Sequence, residues 1–156
     1  MPSPMMQKTD TYAANGALIS SVDNRDLSAM KLKKWNDINA YREVVLNRGI
    51  WFMGYLFGSD ERSRANVTGV VAGVTAGIPL PDGFTWRDNN NNNVPFNAQA
   101  LVGLAAYIML YVNQVYAYSW GLKNVVDACS TLAEVDAFIV SQQAWPDGNM
   151  DGSKPA

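Results

Sequence analysis

Residues 98–129 read AQALVGLAAYIMLYVNQVYAYSWGLKNVVDAC, and no charged side chain occurs anywhere between Asp88 and Lys123. Apolar residues recur in this stretch at three- and four-residue steps: Leu101, Leu104/Ala105, Ile108, Tyr111/Val112, Val115, Tyr118/Ser119, Leu122, Val125/Val126 and Cys129. That period is helical. Asn97 stands where a capping oxygen is needed, so a third helix over about 98–129 is predicted. Its opposite side carries Tyr107, Leu110, Gln114, Ala117 and Gly121 in place of charges. A helix that is apolar all round is buried on several sides, in a core, a bundle or a bilayer. Aromatic residues of a spanning helix prefer the two interfaces, whereas Tyr107, Tyr111, Tyr116 and Tyr118 are spread out and Asn113-Gln114 sits midway. No membrane span is expected. Protein is the expected surrounding, and the face of Tyr107, Leu110, Gln114 and Ala117 is the candidate partner interface.

Working outward, the same periodicity predicts a first helix over about 27–48, with Leu27, Met30, Lys34/Trp35, Ile38, Tyr41 and Val45 inward. Asp26 caps its start and Gly49 follows its last turn. Ile50 to Phe57 is too short for a helix between glycines and reads as a hairpin turning near Met53–Gly54. Ser59-Asp60 opens a second helix over about 60–77, with Val67, Val70, Val71 and Val74 on one side. Ala65, Gly69, Gly73 and Gly77 fall at four-residue intervals along it. Each internal glycine costs about 1 kcal/mol against alanine. Close packing of a second backbone is expected to offset that loss, within the monomer in the first reading and against another chain in the alternative. Pro79 and Pro81 end the helix. Phe84–Trp86 and Val94–Phe96 read as strands around a solvated tip made by Arg87, Asp88 and Asn89–Asn93. Thr131-Leu132-Ala133-Glu134 fits a capping box for a fourth helix over about 132–143, with Leu132, Val135, Phe138 and Ile139 inward.

The predicted fold is α+β and mainly helical, with about four helices and one or two small β-hairpins. Its expected core includes Trp35, Trp51, Phe57, Trp86, Ile108, Val112, Val115 and Phe138. Three segments are predicted: an extended polar N-terminal arm over 1–25, with a short strand around Ala17–Val22; a single helical domain over 26–146; and a polar C-terminal tail over 147–156. The start, MPSPMMQKTD, lacks the basic and apolar pattern of a secretory signal.

Composition removes several functions. Twelve basic against fourteen acidic residues leave a formal charge of −2, without the basic surplus that replaces counterions on nucleic acid. No nucleic-acid partner is expected. Histidine is absent, which removes the commonest general base and neutral metal ligand, and with it Ser–His and Cys–His catalysis. Cys129 is the single cysteine, so it forms no internal disulfide and is read as a small apolar residue on the buried stripe. Asp147-Gly148-Asn149-Met150-Asp151-Gly152 matches the first six positions of a calcium loop. The bidentate acid of position twelve and an exit helix do not follow. The stretch therefore reads as a turn-rich tail, with Asp147, Asn149 and Asp151 as weak metal-ligand candidates. The carboxylate pairs Asp60/Glu61 and Glu134/Asp136 could run acid–base chemistry but suit the first turns of helices better. No phosphate-binding glycine loop is present. No catalytic residue and no cofactor are expected, and a small metal-assisted enzyme is the alternative from another class.

The order of these signals carries a resemblance. Lys34-Trp35-Asn36-Asp37-Ile38 and Arg42 lead to Phe52-Met53-Gly54-Tyr55-Leu56-Phe57-Gly58-Ser59-Asp60, then to Ser63-Arg64 and Phe84-Thr85-Trp86. Asn97-Ala98-Gln99-Ala100-Leu101, Thr131-Leu132-Ala133-Glu134-Val135 and Trp145-Pro146 complete the pattern. Over about 31–146 this resembles a phage-encoded domain of unknown function found beside, or fused to, tail-fibre and tail-fibre-assembly proteins. The resemblance implies a non-catalytic structural or adaptor component of a bacteriophage tail or tail-fibre assembly, acting through protein–protein contacts. It implies other tail or tail-fibre proteins as partners, homo-oligomers among the arrangements, and a place in the virion tail or, during assembly, in the host cytoplasm. The alternative it offers is a tail-fibre assembly chaperone that is not retained in the virion.

Overall fold

A computed structural model describes residues 8–156, in which four α-helices and three two-stranded antiparallel sheets are found. The class is α+β and mainly helical, as predicted, with three hairpins instead of one or two. Two compact units cut across the three sequence segments: the described residues up to Tyr41 group with Trp120–Gln143, and Arg42–Ser119 group with Ala144–Ala156.

In the first unit, β1 (Lys8–Tyr12) pairs antiparallel with β2 (Leu18–Asp23), from Lys8 opposite Asp23 to Tyr12 opposite Leu18, with a bulge near Thr11/Tyr12. The extended arm of the sequence reading is thus a hairpin over its described part, and its first seven residues lie outside the described residues. Asn15-Gly16 makes the turn. Asn15 Oδ1 accepts the Ala17 N–H at 3.1 Å, Gly16 takes φ +82°, and the Ala13 N–H closes the loop on the Ala17 carbonyl at 2.7 Å. Arg25 fixes the exit from β2, its guanidinium shared between Asp23 and Asp136, the latter at 2.6 Å. Hydrogen bonds that the guanidinium donates to these two carboxylates raise the Arg25 pKa still further, so the cation is permanent.

Helix α1 (Leu27–Leu46) starts at Asp26, whose carboxylate accepts the Ser28 N–H. Within the first unit it meets the end of α3 (Ala98–Asp127): Lys31 Nζ donates to the Asp127 carbonyl at 2.6 Å and Trp35 Nε1 to the Asp127 carboxylate at 2.9 Å. A cation at a helix C-terminus is favoured by the helix dipole. Helix α4 (Leu132–Ala137) opens with the predicted capping box of Thr131 and Glu134 but holds only six residues. The Phe138 carbonyl, which a longer helix would give to an N–H one turn on, accepts Lys34 Nζ at 2.8 Å instead. The backbone then runs extended into a short 3₁₀ turn, Val140–Gln142, which buries Val140 and leaves Ile139 exposed, contrary to expectation.

In the second unit, β3 (Ile50–Phe52) and β4 (Tyr55–Phe57) form the predicted hairpin. Helix α2 (Glu61–Thr75) follows, capped by Asp60, whose Oδ1 accepts the Ser63 N–H at 2.7 Å. Strands β5 (Thr85–Arg87) and β6 (Asn93–Pro95) form the third hairpin, and α3 begins at its Asn97 cap. Phe52, Phe57 and Phe96 meet edge-on with centroids 5.3–6.3 Å apart, a geometry that suits ring quadrupoles. The Tyr111 hydroxyl donates to the Val45 carbonyl at 2.7 Å, and burial pushes its pKa up to about 12. Buried Ser59 accepts the Gly49 N–H and donates to the Leu46 carbonyl, which terminates α1.

The Asn run does more than form a solvated tip. Asp88 is buried and accepts the N–H groups of Asn90 and Asn92 together with the Asn92 amide, while Asn91 takes the left-handed φ of +63°. Burial alone would raise the Asp88 carboxyl; these hydrogen bonds outweigh it and hold the group below the ordinary carboxylate range. The Asn89 N–H donates to the Leu56 carbonyl at 2.8 Å, tying the tip to β4.

Of the eight expected core residues, Phe57, Ile108 and Val115 are buried. Trp35, Trp51, Trp86, Val112 and Phe138 are half-buried. An indole must keep a partner for its N–H, which Trp35 finds at the boundary with solvent in Asp127. The α3 stripe is narrower than predicted: Leu101, Leu104, Ile108, Tyr111, Val115, Ser119, Leu122 and Val126 are buried, and Val125 is exposed. Cys129 lies beyond the last turn of α3 and is half-buried, not on a buried stripe.

Candidate interaction surface

The α3 side chains away from the core are the first feature of this surface. In the part of α3 that belongs to the second unit, Val102, Ala106, Met109, Leu110, Asn113, Gln114 and Ala117 are exposed. Met109 is 59% exposed and Leu110 47%. Of the four interface candidates, Leu110, Gln114 and Ala117 lie on this side. Tyr107 does not: it is half-buried, with its ring 5.6 Å from that of Phe52. Three residues fall short of a full helical turn, so Tyr107 is rotated from Leu110 towards the core side and its ring packs by Phe52. Val102 and Met109, which the sequence reading did not single out, are the larger apolar members of the face.

Beside Met109 a cleft of about 240 Å³ opens between α3 and α2, lined by Arg64, Val67, Thr68, Ala105 and Val112 among others. The glycine strip of α2 faces elsewhere. A Cβ added at Gly69 or Gly77 would meet nothing within 4 Å, and one at Gly73 only the tip of Ile78 at 3.9 Å. Packing within the monomer, the expected role of the strip, is therefore corrected for these three glycines: among the described residues no other backbone comes within 4 Å of a Cβ added at Gly69, Gly73 or Gly77. The reason is that Val67 alone of the α2 residues is buried, so the helix presents one edge to the core and leaves the strip outside. A larger groove, about 690 Å³, lies along Ile78 to Phe84, and Asp82 is the one charged residue in its lining.

The calcium-loop residues have other work. Gly148 accepts the Trp51 N–H on its carbonyl at 2.8 Å, Asp151 Oδ2 accepts the Met53 N–H at 2.9 Å, and Ser153 Oγ accepts the Gly54 N–H at 2.8 Å. Met53 and Gly54 both have positive φ, the conformation of a tight two-residue hairpin turn. The tail therefore straps the β3–β4 turn. Asp147 accepts the Asn149 N–H and lies 3.5 Å from Lys154, and Asn149 Oδ1 accepts the Lys154 N–H. The Asn149 hydrogen bond foremost, with help from Lys154, lowers the Asp147 pKa. In this structure the Asp147 and Asn149 side-chain oxygens accept N–H groups within the tail, and the Asp151 carboxylate reaches the β3–β4 turn. Among the described residues no group of three or more His, Cys, Asp or Glu side chains is placed to hold a metal.

The carboxylate pairs are likewise occupied locally. Asp60 caps α2, Glu134 completes the capping box, and Asp136 binds Arg25. By length and composition α3 passes the test for a bilayer-crossing helix, a test that the core helix of a soluble protein also passes.

A model of a domain of unknown function, DUF4376, matches residues 29–140, well over half of the chain. This chain belongs to the DUF4376 family. No curated protein and no solved structure matches it. The family match runs from early α1 to the 3₁₀ turn, so it includes the exposed α3 face but neither β1–β2 nor the strap of this DUF4376 protein.

Proposed function

We propose that this DUF4376 chain is a non-catalytic structural or adaptor component of a bacteriophage tail or tail-fibre assembly, working through protein–protein contacts. The observation that carries the reading is the outer face of α3: Val102, Met109 and Leu110 stand about half exposed on a stretch without a single charge. Covering these three side chains would contribute about 3 kcal/mol, taking roughly half of a full burial for each. Contiguous apolar surface of this kind marks an interaction site. The resemblance of the motif order to domains that accompany tail-fibre genes supplies the tail as the place of that interaction.

Mass spectrometry of purified virions tests the location, and the chain is expected among the tail proteins. Its absence there, with fibres failing to assemble without it, would make it an assembly chaperone instead. Leu110→Glu tests the surface. Because Leu110 is half exposed, the variant is expected to keep its fold and helical circular dichroism while its incorporation into virions falls at least tenfold. Wild-type incorporation of Leu110→Glu would remove the α3 face from the assembly.

A further inference from the structure

We infer that Asn15-Gly16 is a site of spontaneous deamidation, and that its main product, an isoaspartyl residue, unlocks the β1–β2 hairpin. The chain has fifteen asparagines, and Asn15 alone is followed by glycine. Glycine carries no Cβ beside its backbone nitrogen, so that nitrogen can approach the preceding side chain most closely.

The structure places the pair where the reaction can run. Ala14 to Ala17 are all exposed, and a Cβ added at Gly16 would meet nothing within 4 Å. Water and hydroxide therefore reach the turn. The Ala17 N–H donates to Asn15 Oδ1 at 3.1 Å, which folds the side-chain amide back over the Gly16 peptide. The same donor steadies the charge that forms on Oδ1 when a nucleophile adds to Cγ. One contact opposes the reaction: the Gly16 N–H donates to the Ala13 carbonyl at 2.9 Å and must be released before its nitrogen can attack. A two-stranded hairpin is marginal in water and every β2 residue is exposed, so that release is frequent against so slow a reaction.

Hydroxide removes the Gly16 amide proton, and the nitrogen adds to Asn15 Cγ. The new C–N bond closes a five-membered imide as the Cγ–Nδ2 bond breaks, and Nδ2 leaves as ammonia with a proton from water. Water then opens the imide at either carbonyl. Opening at the Asn15 backbone carbonyl leaves the chain running through Cβ and Cγ, the isoaspartyl form, whereas opening at Cγ gives aspartate. One water is consumed and one ammonia released, with no change in oxidation state. Either product adds one negative charge to the formal −2. The isoaspartyl form also inserts a methylene into the turn backbone, which the closure of the Ala13 N–H on the Ala17 carbonyl at 2.7 Å cannot span in register.

The full chain, incubated in warm, mildly alkaline buffer, tests this by peptide mass mapping and isoaspartyl methyltransferase labelling. The peptide holding Asn15 is expected to take the mass of the acid, mostly as isoaspartate, at least tenfold faster than any other asparagine. Asn89–Asn92, each followed by asparagine, and Asn97, followed by alanine, are the internal controls. Gly16→Ala is expected to slow the reaction at least tenfold, although it loosens the turn, because its methyl crowds the attacking nitrogen. A rate that this variant leaves unchanged would overturn the imide route. The native chain is expected to react at no less than a tenth of its rate in urea. A lower ratio would mean that the Ala13 hydrogen bond protects the site, and the proposal would fall. In the aged chain, hydrogen exchange at the Ala13 N–H is expected to rise several-fold, and unchanged exchange would overturn the unlocking of the hairpin.

Discussion

The hairpins β1–β2 and β3–β4 are built alike and end differently. Each has two short antiparallel strands and a turn with positive φ, at Gly16 in one and at Met53–Gly54 in the other. In β3–β4 the tail supplies acceptors for the Trp51, Met53 and Gly54 N–H groups, and Ile50, Phe52 and Phe57 are buried. In β1–β2 every β2 residue is exposed, including Ile19 and Val22. A lone two-stranded hairpin is marginal in water. The difference teaches that strand formation here is local but stability is conferred by what lies on the strands.

The largest effect that would sharpen this contrast is at Gly148. Its φ is +78°, and a Cβ there would stand 2.5 Å from the Gly49 carbonyl oxygen. Gly148→Ala is expected to cost about 3 kcal/mol, from strain plus a backbone clash. Gly16, at φ +82° with nothing within 4 Å of an added Cβ, should cost only about 1 kcal/mol on the same substitution. Urea unfolding followed by tryptophan fluorescence compares the two. Equal losses would break the distinction between a strapped and a bare hairpin.

A smaller effect is expected from Asp151→Ala, about 1 kcal/mol at neutral pH for the acceptor withdrawn from Met53. Burial pushes the Asp151 carboxyl up, but hydrogen bonds from Ser153 and Met53 outweigh it and leave the pKa lowered. A lowered carboxyl contributes stability above its unfolded value, near pH 4, that is lost as pH falls through the folded value. The gap between wild type and variant at pH 7 should therefore close in acid. A gap that persists at about pH 2 would mean that the carboxylate is not what holds the turn.

The smallest effect belongs to the bare hairpin. Ile19 is 64% exposed, so Ile19→Lys is expected to shift stability by less than about 0.5 kcal/mol. A loss several times larger would show that β1–β2 is covered in solution and would bring the two hairpins into one class.

Much of the architecture is legible because the signals are local. Asp26, Asp60, Asn97 and Thr131 each announce a helix by offering an oxygen to N–H groups two or three residues on, and all four are used so. The Asn15-Gly16 turn was equally legible, and reading the segment as extended missed it. The candidate surface was legible in part. Three of its four residues could be placed by periodicity, but Tyr107 sits where a turn of helix either shows or hides a ring, and only the position of Phe52 decides. The strap was not legible, since Asp147–Asp151 looks the same whether its oxygens face a cation or the N–H groups of a distant turn.

The sequence by itself determined the helical class, the helix starts and an α3 without charge. These follow from side-chain periodicity and capping, which act within a few residues. Tertiary structure alone decided what meets the Phe138 carbonyl just beyond α4, which accepts Lys34 Nζ from another helix. It also decided that the glycine strip of α2 lies open, and that the tail closes over β3–β4. Those outcomes depend on which backbone groups meet across long chain separations, and no local pattern encodes that meeting.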